Sequence, residues 1–210
     1  PVFPGFEVDR DATPELFEAC RIAIDKRKVI GLKDQSGWSL AHMANVRARL
    51  GEGEKAHRAL EILAQTCVGA NLFAYHNDYR FMGPTLSMTW GKRPPFQIDA
   101  NFGWTAAMLE MLAFSKPGLI RILPALPRAW AKGKVRNICC RGGIALTIAW
   151  DKNKGQVDVE FLSQTTQTID VAWPGSETGH PLNLPAGETV TARWDGEGLA
   201  ETTLPGLGTR

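Results

Sequence analysis

The period of the hydrophobic pattern changes at Lys116-Pro117-Gly118, and this change constrains the possible fold more than any other feature. Before it, apolar residues recur at the three- and four-residue spacing of amphipathic helices. After it, short segments alternate between apolar and polar residues, as β-strands do. Helices followed by strands favour two segregated units. We therefore predict a helical unit over residues 1–116 and an antiparallel β unit over 117–210, and 210 residues suffice for both.

Four helices are predicted in the first unit. Thr13 followed by Pro14 is a typical helix start, because threonine caps the first turn and proline suits the first helical position. The apolar face of this first helix is predicted to be buried and consists of Leu16, Cys20, Ala23 and Ile24. The predicted helices cover residues 14–30, 36–50, 54–66 and 103–114.

The second unit carries strand signals, and two stretches lack any period. Alternating segments rich in threonine and valine predict strands over residues 119–123, 144–150, 156–162, 166–173 and 188–194, with 151–155 as a hairpin loop. Residues 124–134 are rich in turn formers. Residues 69–93 form a long polar and aromatic segment, which in a compact domain is typical of a functional or mobile loop. The glycine-rich tail from Gly196 is expected to be loose.

The most informative polar residues lie in the segment from Pro94 to Gly103, PPFQIDANFG. The proline pair favours an extended backbone, on which Gln97, Asp99 and Asn101 would point to one side and the intervening apolar residues to the other. Asp99 could cap the following helix or form a salt bridge. Alternatively, it is a carboxylate held in a pocket for chemistry. The two amides could bind a polar ligand or close a turn.

Other candidate residues carry weaker signals. Trp38 and Trp104 could stack on a sugar or pack between helices. His76 could line a cleft or be an ordinary loop histidine, whereas His42 and His57 are expected to face solvent or a helix end. The four histidines are spread along the chain and the four cysteines lack metal-type spacing, so we predict no metal and no cofactor.

Composition excludes some partners. The formal net charge is +2, and the lysines and arginines are scattered, so no nucleic-acid surface is predicted. No segment is apolar enough over a sufficient length to span a bilayer, so no membrane partner is expected. The chain begins at Pro1 in what reads as the middle of a protein, and we expect it to be a fragment.

The segment from Pro94 to Gly103 closely resembles a signature of glycoside hydrolase family 95, which contains inverting 1,2-α-L-fucosidases and α-L-galactosidases. Further motifs with the same resemblance occur in the order of the family over most of the chain. They are SGWSL from Ser36, ARL from Ala48, NLF from Asn71, LPALP from Leu123 and RGG from Arg141.

This resemblance implies a fold and a role. The helices would be the last ones of an (α/α)6 barrel, followed by a C-terminal antiparallel β-sandwich, and residues 69–93 would be an insertion. Asp99 would be the general base. The chemistry of their side chains makes four further residues candidate substrate contacts: Gln97, Asn101, Trp38 and His76. The general acid, the asparagines that assist the base and an Arg-His pair would lie upstream of this chain.

The resemblance also implies the partners. They would be an oligosaccharide or glycan substrate and the missing N-terminal part of the same enzyme, in a secreted or periplasmic location. About 115 residues are too few for twelve helices of roughly 11 residues each, so the barrel would be incomplete. The isolated chain would then be inactive, because one half of a two-group mechanism is absent.

Two other functions stay open at this point. The chain could be a carbohydrate-binding or structural module, because Trp150, Trp173 and Trp194 of the β unit are expected to be exposed and could stack on sugars. It could also belong to a related (α/α)6 enzyme such as a disaccharide phosphorylase, which dependence on inorganic phosphate would reveal.

Overall fold

The computed structural model contains a helical unit, Pro1–Met111, and a β unit, Leu112–Arg210. None of the described helices is long and apolar enough to cross a membrane. The prediction of helices first and antiparallel strands second is confirmed. The residues that the structure describes are 2–29, 31–78, 80–81, 85–86, 94–176, 178–196 and 199–202.

The helical unit has its first three helices where the sequence predicts them. Ser36 caps the second helix, because its side chain accepts a hydrogen bond from the backbone N–H of Ser39 at 3.2 Å. The first helix is less buried than expected: Leu16 is 56% exposed, and Ala23 is exposed as well. The four helices are α1 (Pro14–Val29), α2 (Gly37–Arg49), α3 (Gly53–Cys67) and α4 (Ile98–Leu112).

The start of α4 differs from the prediction. The helix begins at Ile98, so Asp99 and Asn101 lie in its first turns and not on an extended segment. The prolines restrict only the residues up to Pro95, because proline fixes its own φ and restricts the residue before it. The carbonyl of Gln97 then accepts a hydrogen bond from Ala100 N–H at 3.1 Å and starts the first turn. Alternation of polar and apolar residues over so short a stretch does not distinguish a strand from a helix start.

Helices α2 and α4 lie in close contact at Gly103. A Cβ atom at this position would come within 2.9 Å of both Ala41 Cβ and Trp38 Cζ3, so only glycine permits the approach. The buried amide of Asn45 donates to the carbonyls of Ala41 and Gly103, each at 2.8 Å, and thereby joins the two helices. The Arg49–Glu110 ion pair joins them again further along the two helices.

The β unit is built from two sheets. In chain order the strands are β1 (Ala113–Lys116), β2 (Leu119–Ile122), β3 (Lys132–Cys140), β4 (Ile144–Asp151), β5 (Gln156–Ser163), β6 (Gln167–Ala172), β7 (His180–Leu184), β8 (Thr189–Trp194) and β9 (Leu199–Thr202). One sheet has the order β1-β2-β6-β7 and the other β3-β4-β5-β8-β9. All neighbours are antiparallel except β2 and β6, which run parallel.

The core of the β unit comes from alternating inward side chains of both sheets. Along β4, buried residues alternate with half-buried ones over the whole strand, and Leu146 and Ile148 are fully buried. The loop predicted at 151–155 is confirmed as the connection to β5. The strands β1 and β7, most of β3, and β9 in the tail were not expected. Of the long loop and the tail, residues 79, 82–84, 87–93, 197–198 and 203–210 lie outside the described residues.

Candidate active site

The loop after α3 pairs with the segment that leads into α4. Tyr75 and Phe96 form an antiparallel bridge. On either side of it, His76 N–H donates to the carbonyl of Pro95 and Gln97 N–H donates to the carbonyl of Ala74, both at 2.9 Å. The proline-led segment is therefore fixed along one edge by backbone hydrogen bonds, and the N-terminus of α4 has a defined position in the helical unit.

Asn101 holds the same loop from inside the helix. Its Nδ2 donates to the carbonyl of Leu72 at 2.8 Å, and its Oδ1 accepts from Ala74 N–H at 2.8 Å. Leu72 has a left-handed backbone with φ of 63°, which is unfavourable for a leucine and needs support from its surroundings. The amide of Asn101 thus has a structural role in this chain.

Gln97 connects α4 to the start of α2. Its Oε1 accepts a hydrogen bond from Trp38 N–H at 2.7 Å, and so satisfies one of the free donors of the first turn of α2. The neighbouring Gly37 N–H donates to the carbonyl of His76 at 3.0 Å. A Cβ atom at Gly37 would lie 2.5 Å from the carbonyl oxygen of Tyr75, so this junction requires glycine.

The side chain of Asp99 differs from the two flanking amides in its contacts. It lies in the first turn of α4 and its side chain is exposed. No described residue forms a hydrogen bond or an ion pair with its carboxylate, which therefore neither caps the helix nor joins a salt bridge within the described chain. The partial positive charge of the helix N-terminus favours a negative charge at this position. Asp99 is thus an available carboxylate on a rigid support.

Trp38 and His76 lie on either side of this junction. The Trp38 ring is 37% exposed and packs on Gly103, while His76 is half-buried and contributes the backbone hydrogen bonds described above. The structure therefore joins Gln97, Asn101, Trp38 and His76 around the N-terminus of α4. Gln97 and Asn101 contribute their side-chain amides and His76 contributes its backbone. Trp38 donates its backbone N–H to Gln97 and packs its ring on Gly103.

Two further residues belong to this surface and were not among the candidate site residues predicted from the sequence. His42, expected in solvent or at a helix end, is half-buried between the Trp38 and Phe3 rings, with centroid distances of 5.7 and 6.1 Å. Phe102 is 69% exposed on the first turns of α4. The sequence spacing could have indicated both residues. His42 follows Trp38 by four residues and Phe102 follows Asp99 by three, and these spacings place each pair on one helix face.

Comparisons with protein families identify the chain. The model for the glycosyl hydrolase family 95 catalytic domain matches residues 1–112, and the model for the family 95 C-terminal domain matches residues 114–204. The chain belongs to glycoside hydrolase family 95. The two matched regions follow the order of the helical and β units, so the helical unit corresponds to the end of a family 95 catalytic domain.

The relatives of this chain include two proteins named as fucosidases. The chain is 35% identical to alpha-L-fucosidase 2 of Arabidopsis thaliana over 150 residues, which is 71% of this chain and 17% of that protein. It is 32% identical to a probable alpha-fucosidase A of Aspergillus oryzae over 152 residues, or 68% of this chain and 20% of that protein. The match therefore spans no more than about a fifth of these relatives.

The tryptophans of the family 95 C-terminal domain are less accessible than the module hypothesis requires. Trp150 is 9% exposed and Trp173 is 2% exposed, because both side chains point into the core of the β unit. Trp194 is half-buried and stacks on Trp173, with ring centroids 6.0 Å apart and planes 9° apart. The expectation that these rings are exposed is wrong, and the carbohydrate-binding module loses the feature that suggested it.

The described residues contain no group of three or more His, Cys, Asp or Glu side chains arranged to hold a metal ion. Cys67 is fully buried against Thr66, and burial raises the pKa of its thiol. It is a packing residue within the helical unit rather than a nucleophile.

Proposed function

We propose that this chain is the C-terminal part of a glycoside hydrolase that cleaves terminal α-L-fucosyl, or α-L-galactosyl, residues with inversion. Family membership and the names of its relatives support the substrate class. The observation that carries the residue assignment is the contrast within Gln97–Asn101. Both amides are engaged by backbone partners, whereas the Asp99 carboxylate between them is exposed and unpaired among the described residues.

In this proposal Asp99 acts as the general base. Its carboxylate takes a proton from a water molecule that attacks the anomeric carbon, while a carboxylic acid on the opposite side protonates the leaving oxygen. The two carboxyl groups of an inverting enzyme lie about 6.5–9.5 Å apart so that the water fits between them. The acid would belong to upstream residues of the catalytic domain, and residues 1–210 alone would not release the sugar.

The test uses a version of the protein extended at its N-terminus to the length of its relatives, with 2′-fucosyllactose as substrate. We expect Asp99→Asn to lower kcat by about a thousandfold or more, because a positioned base contributes roughly 10²- to 10⁴-fold. Asp34→Asn is the matched control, since it makes the same change at another exposed aspartate of the helical unit. Turnover by Asp99→Asn at the rate of the unmodified protein would rule out the assignment.

The same assay separates the alternatives. Proton NMR of the first product distinguishes β-L-fucose, which inversion produces, from α-L-fucose. Turnover that requires inorganic phosphate and yields a sugar phosphate would instead indicate a phosphorylase. Unfolding curves of the two Asp→Asn variants should match that of the unmodified chain, because exposed substitutions usually change stability by no more than about 0.5 kcal/mol.

A further inference from the structure

A cavity of about 580 Å³ lies beside the candidate base, and we call it the α2–α4 cavity. Three residues of α4 line it: Phe102, Gly103 and Ala106. They follow Asp99 by three, four and seven residues, and this spacing places all four on one face of the helix. The cavity therefore begins about one helical turn, or roughly 5 Å along the axis, from Asp99.

The walls of the α2–α4 cavity are mainly aromatic. Trp38, Phe102 and Phe3 line it, and the Trp38 ring is held in place because it rests on Gly103. Small-molecule sites are typically clefts of about 300–1,000 Å³ with apolar walls and a few polar groups that fix orientation. A pyranose ring, which has an apolar C–H surface and a hydroxyl-bearing edge, matches walls of this kind.

The polar residues that line the cavity are Arg27, Ser39 and His42. His42 lines it between Trp38 and Phe3, and no described residue forms a hydrogen bond with its ring nitrogens. Burial, and secondarily the positive charge of Arg27, lowers the pKa of His42. The ring is therefore neutral near pH 7, with one nitrogen that donates and one that accepts, as a sugar hydroxyl requires.

We propose that the α2–α4 cavity is a sugar subsite that takes a pyranose ring of the substrate beside Asp99. Trp38 and Phe102 contact the apolar surface of this ring, and His42 forms a hydrogen bond with one of its hydroxyls. The inference rests on the proposed function in so far as it takes the substrate to be a fucosylated sugar. It does not depend on Asp99 being the base.

The test uses the 210-residue chain labelled with ¹⁵N and titrated with L-fucose and with 2′-fucosyllactose. The seven tryptophans give separate indole signals, and a Trp38→Phe variant assigns that of Trp38. We expect a saturable shift of the Trp38 signal, while those of the β unit do not move. Phe102→Ala should weaken the binding about tenfold, which corresponds to about 1.4 kcal/mol, and should leave folding intact because the ring is exposed.

Met108→Ala is the matched control, because Met108 is 40% exposed on the same helix but does not line the cavity. His42→Gln provides a second variant whose effect does not depend on an aromatic contact. Absence of a saturable shift at millimolar sugar, or equal weakening by Phe102→Ala and Met108→Ala, overturns the subsite. The subsite is also overturned if the Trp38 signal of the extended protein does not respond to sugar, because upstream residues would then fill the cavity.

Failure of the subsite and failure of the proposed function are distinguishable. Loss of turnover in Asp99→Asn in the extended protein tests the base, whereas saturable sugar binding by the unmodified 210-residue chain and its weakening by Phe102→Ala test the subsite. Phe102→Ala should raise KM for 2′-fucosyllactose about tenfold with a smaller change in kcat, because it removes a binding contact and no chemical group. If the KM of Phe102→Ala is unchanged and Asp99→Asn loses turnover, the subsite is rejected and the base assignment stays in place.

Discussion

The helical unit and the β unit distribute their side chains in opposite ways. Of the thirteen large apolar side chains exposed among the described residues, twelve belong to the helical unit and one, Leu162, to the β unit. Of the ten buried polar or charged residues in the same part of the chain, nine belong to the helical unit and one, Ser163, to the β unit. The β unit is thus closed around an apolar core, whereas the helical unit combines internal polar contacts with an uncovered apolar surface.

Helix α4 shows what this difference means. Ala107 and Met111 are fully buried on one face, while on the opposite face Ile98 and Leu109, which do not line the α2–α4 cavity, are 44% and 40% exposed. A helix that is apolar on two faces is typical of a position that is covered on both sides. Relatives several times longer than this chain agree with the proposal that upstream residues of the catalytic domain cover the second face.

The largest loss of stability is expected for a substitution in the apolar core of the β unit. Phe161 on β5 is fully buried, and Phe161→Ala should lower the free energy of unfolding by about 3–5 kcal/mol because it removes the ring and leaves a cavity. Leu162→Ala changes the next residue, which is 44% exposed on the opposite side of the strand, and should cost no more than about 0.5 kcal/mol. Chemical denaturation followed by circular dichroism measures both, and equal losses would contradict the assigned core.

The strands β4 and β5 were predictable, because alternation is a local property and both strands show it over their whole length. The hairpin of β1 and β2 was missed although Pro117-Gly118 is a strong turn signal, since the run before it, through Phe114, was assigned to the preceding helix. In that turn Gly118 has φ of 79°, which glycine adopts readily.

The candidate site was only partly predictable. Asp99 could be found because a family motif surrounds it. The roles of Asn101 and Gln97 could not, because their partners lie 27–29 and 59 residues away in the sequence. Nothing local indicates which of three polar side chains within five residues will be left exposed. That choice is made by the tertiary contacts of the loop after α3 and of α2.

A second, smaller effect is expected where the helical unit relies on buried charge. Arg47 is fully buried and forms ion pairs with Asp25, at 2.7 Å, and with Glu52. Arg47→Ala should lower the free energy of unfolding by about 3 kcal/mol. This is the lower end of the range for a broken buried ion pair, because Lys55 still neutralises the carboxylates of Asp25 and Glu52. Thermal unfolding of the helical unit measures the loss.

Arg21→Ala is the matched control for Arg47→Ala. Arg21 also pairs with acidic side chains, but its side chain is 41% exposed, and removal should cost about 0.5 kcal/mol or less. The ion pair with Arg47 also lowers the pKa of Asp25. The pair therefore contributes fully to the free energy of unfolding above the ordinary pKa of 3.8, and this contribution is lost as the pH falls through the lowered pKa. Equal stability of the two arginine variants would show that the buried network is not a source of stability.

The smallest of the three effects concerns the hydrogen bonds beside the candidate base. Asn101→Ala removes the partners of Leu72 and of the fully buried Ala74, so the loop after α3 should lose about 2 kcal/mol of local stability. Hydrogen exchange at the Ala74 amide should then accelerate roughly 30-fold. Thr105→Ala, one turn further along α4 and exposed, removes only a hydroxyl bonded within the same helix and should leave this exchange rate unchanged.

An Asn101→Asp variant tests the same contacts more finely. It keeps an acceptor for Ala74 N–H but lacks the donor to the carbonyl of Leu72, so its exchange rate should lie between those of Asn101→Ala and the unmodified chain. If Asn101→Ala leaves Ala74 protected, the loop is held by its backbone bridges alone. The contrast between the engaged amides and an Asp99 carboxylate that no described residue binds then loses its physical basis. If exchange accelerates as expected, the polar contacts of the helical unit stabilise the loop against which the candidate base is placed.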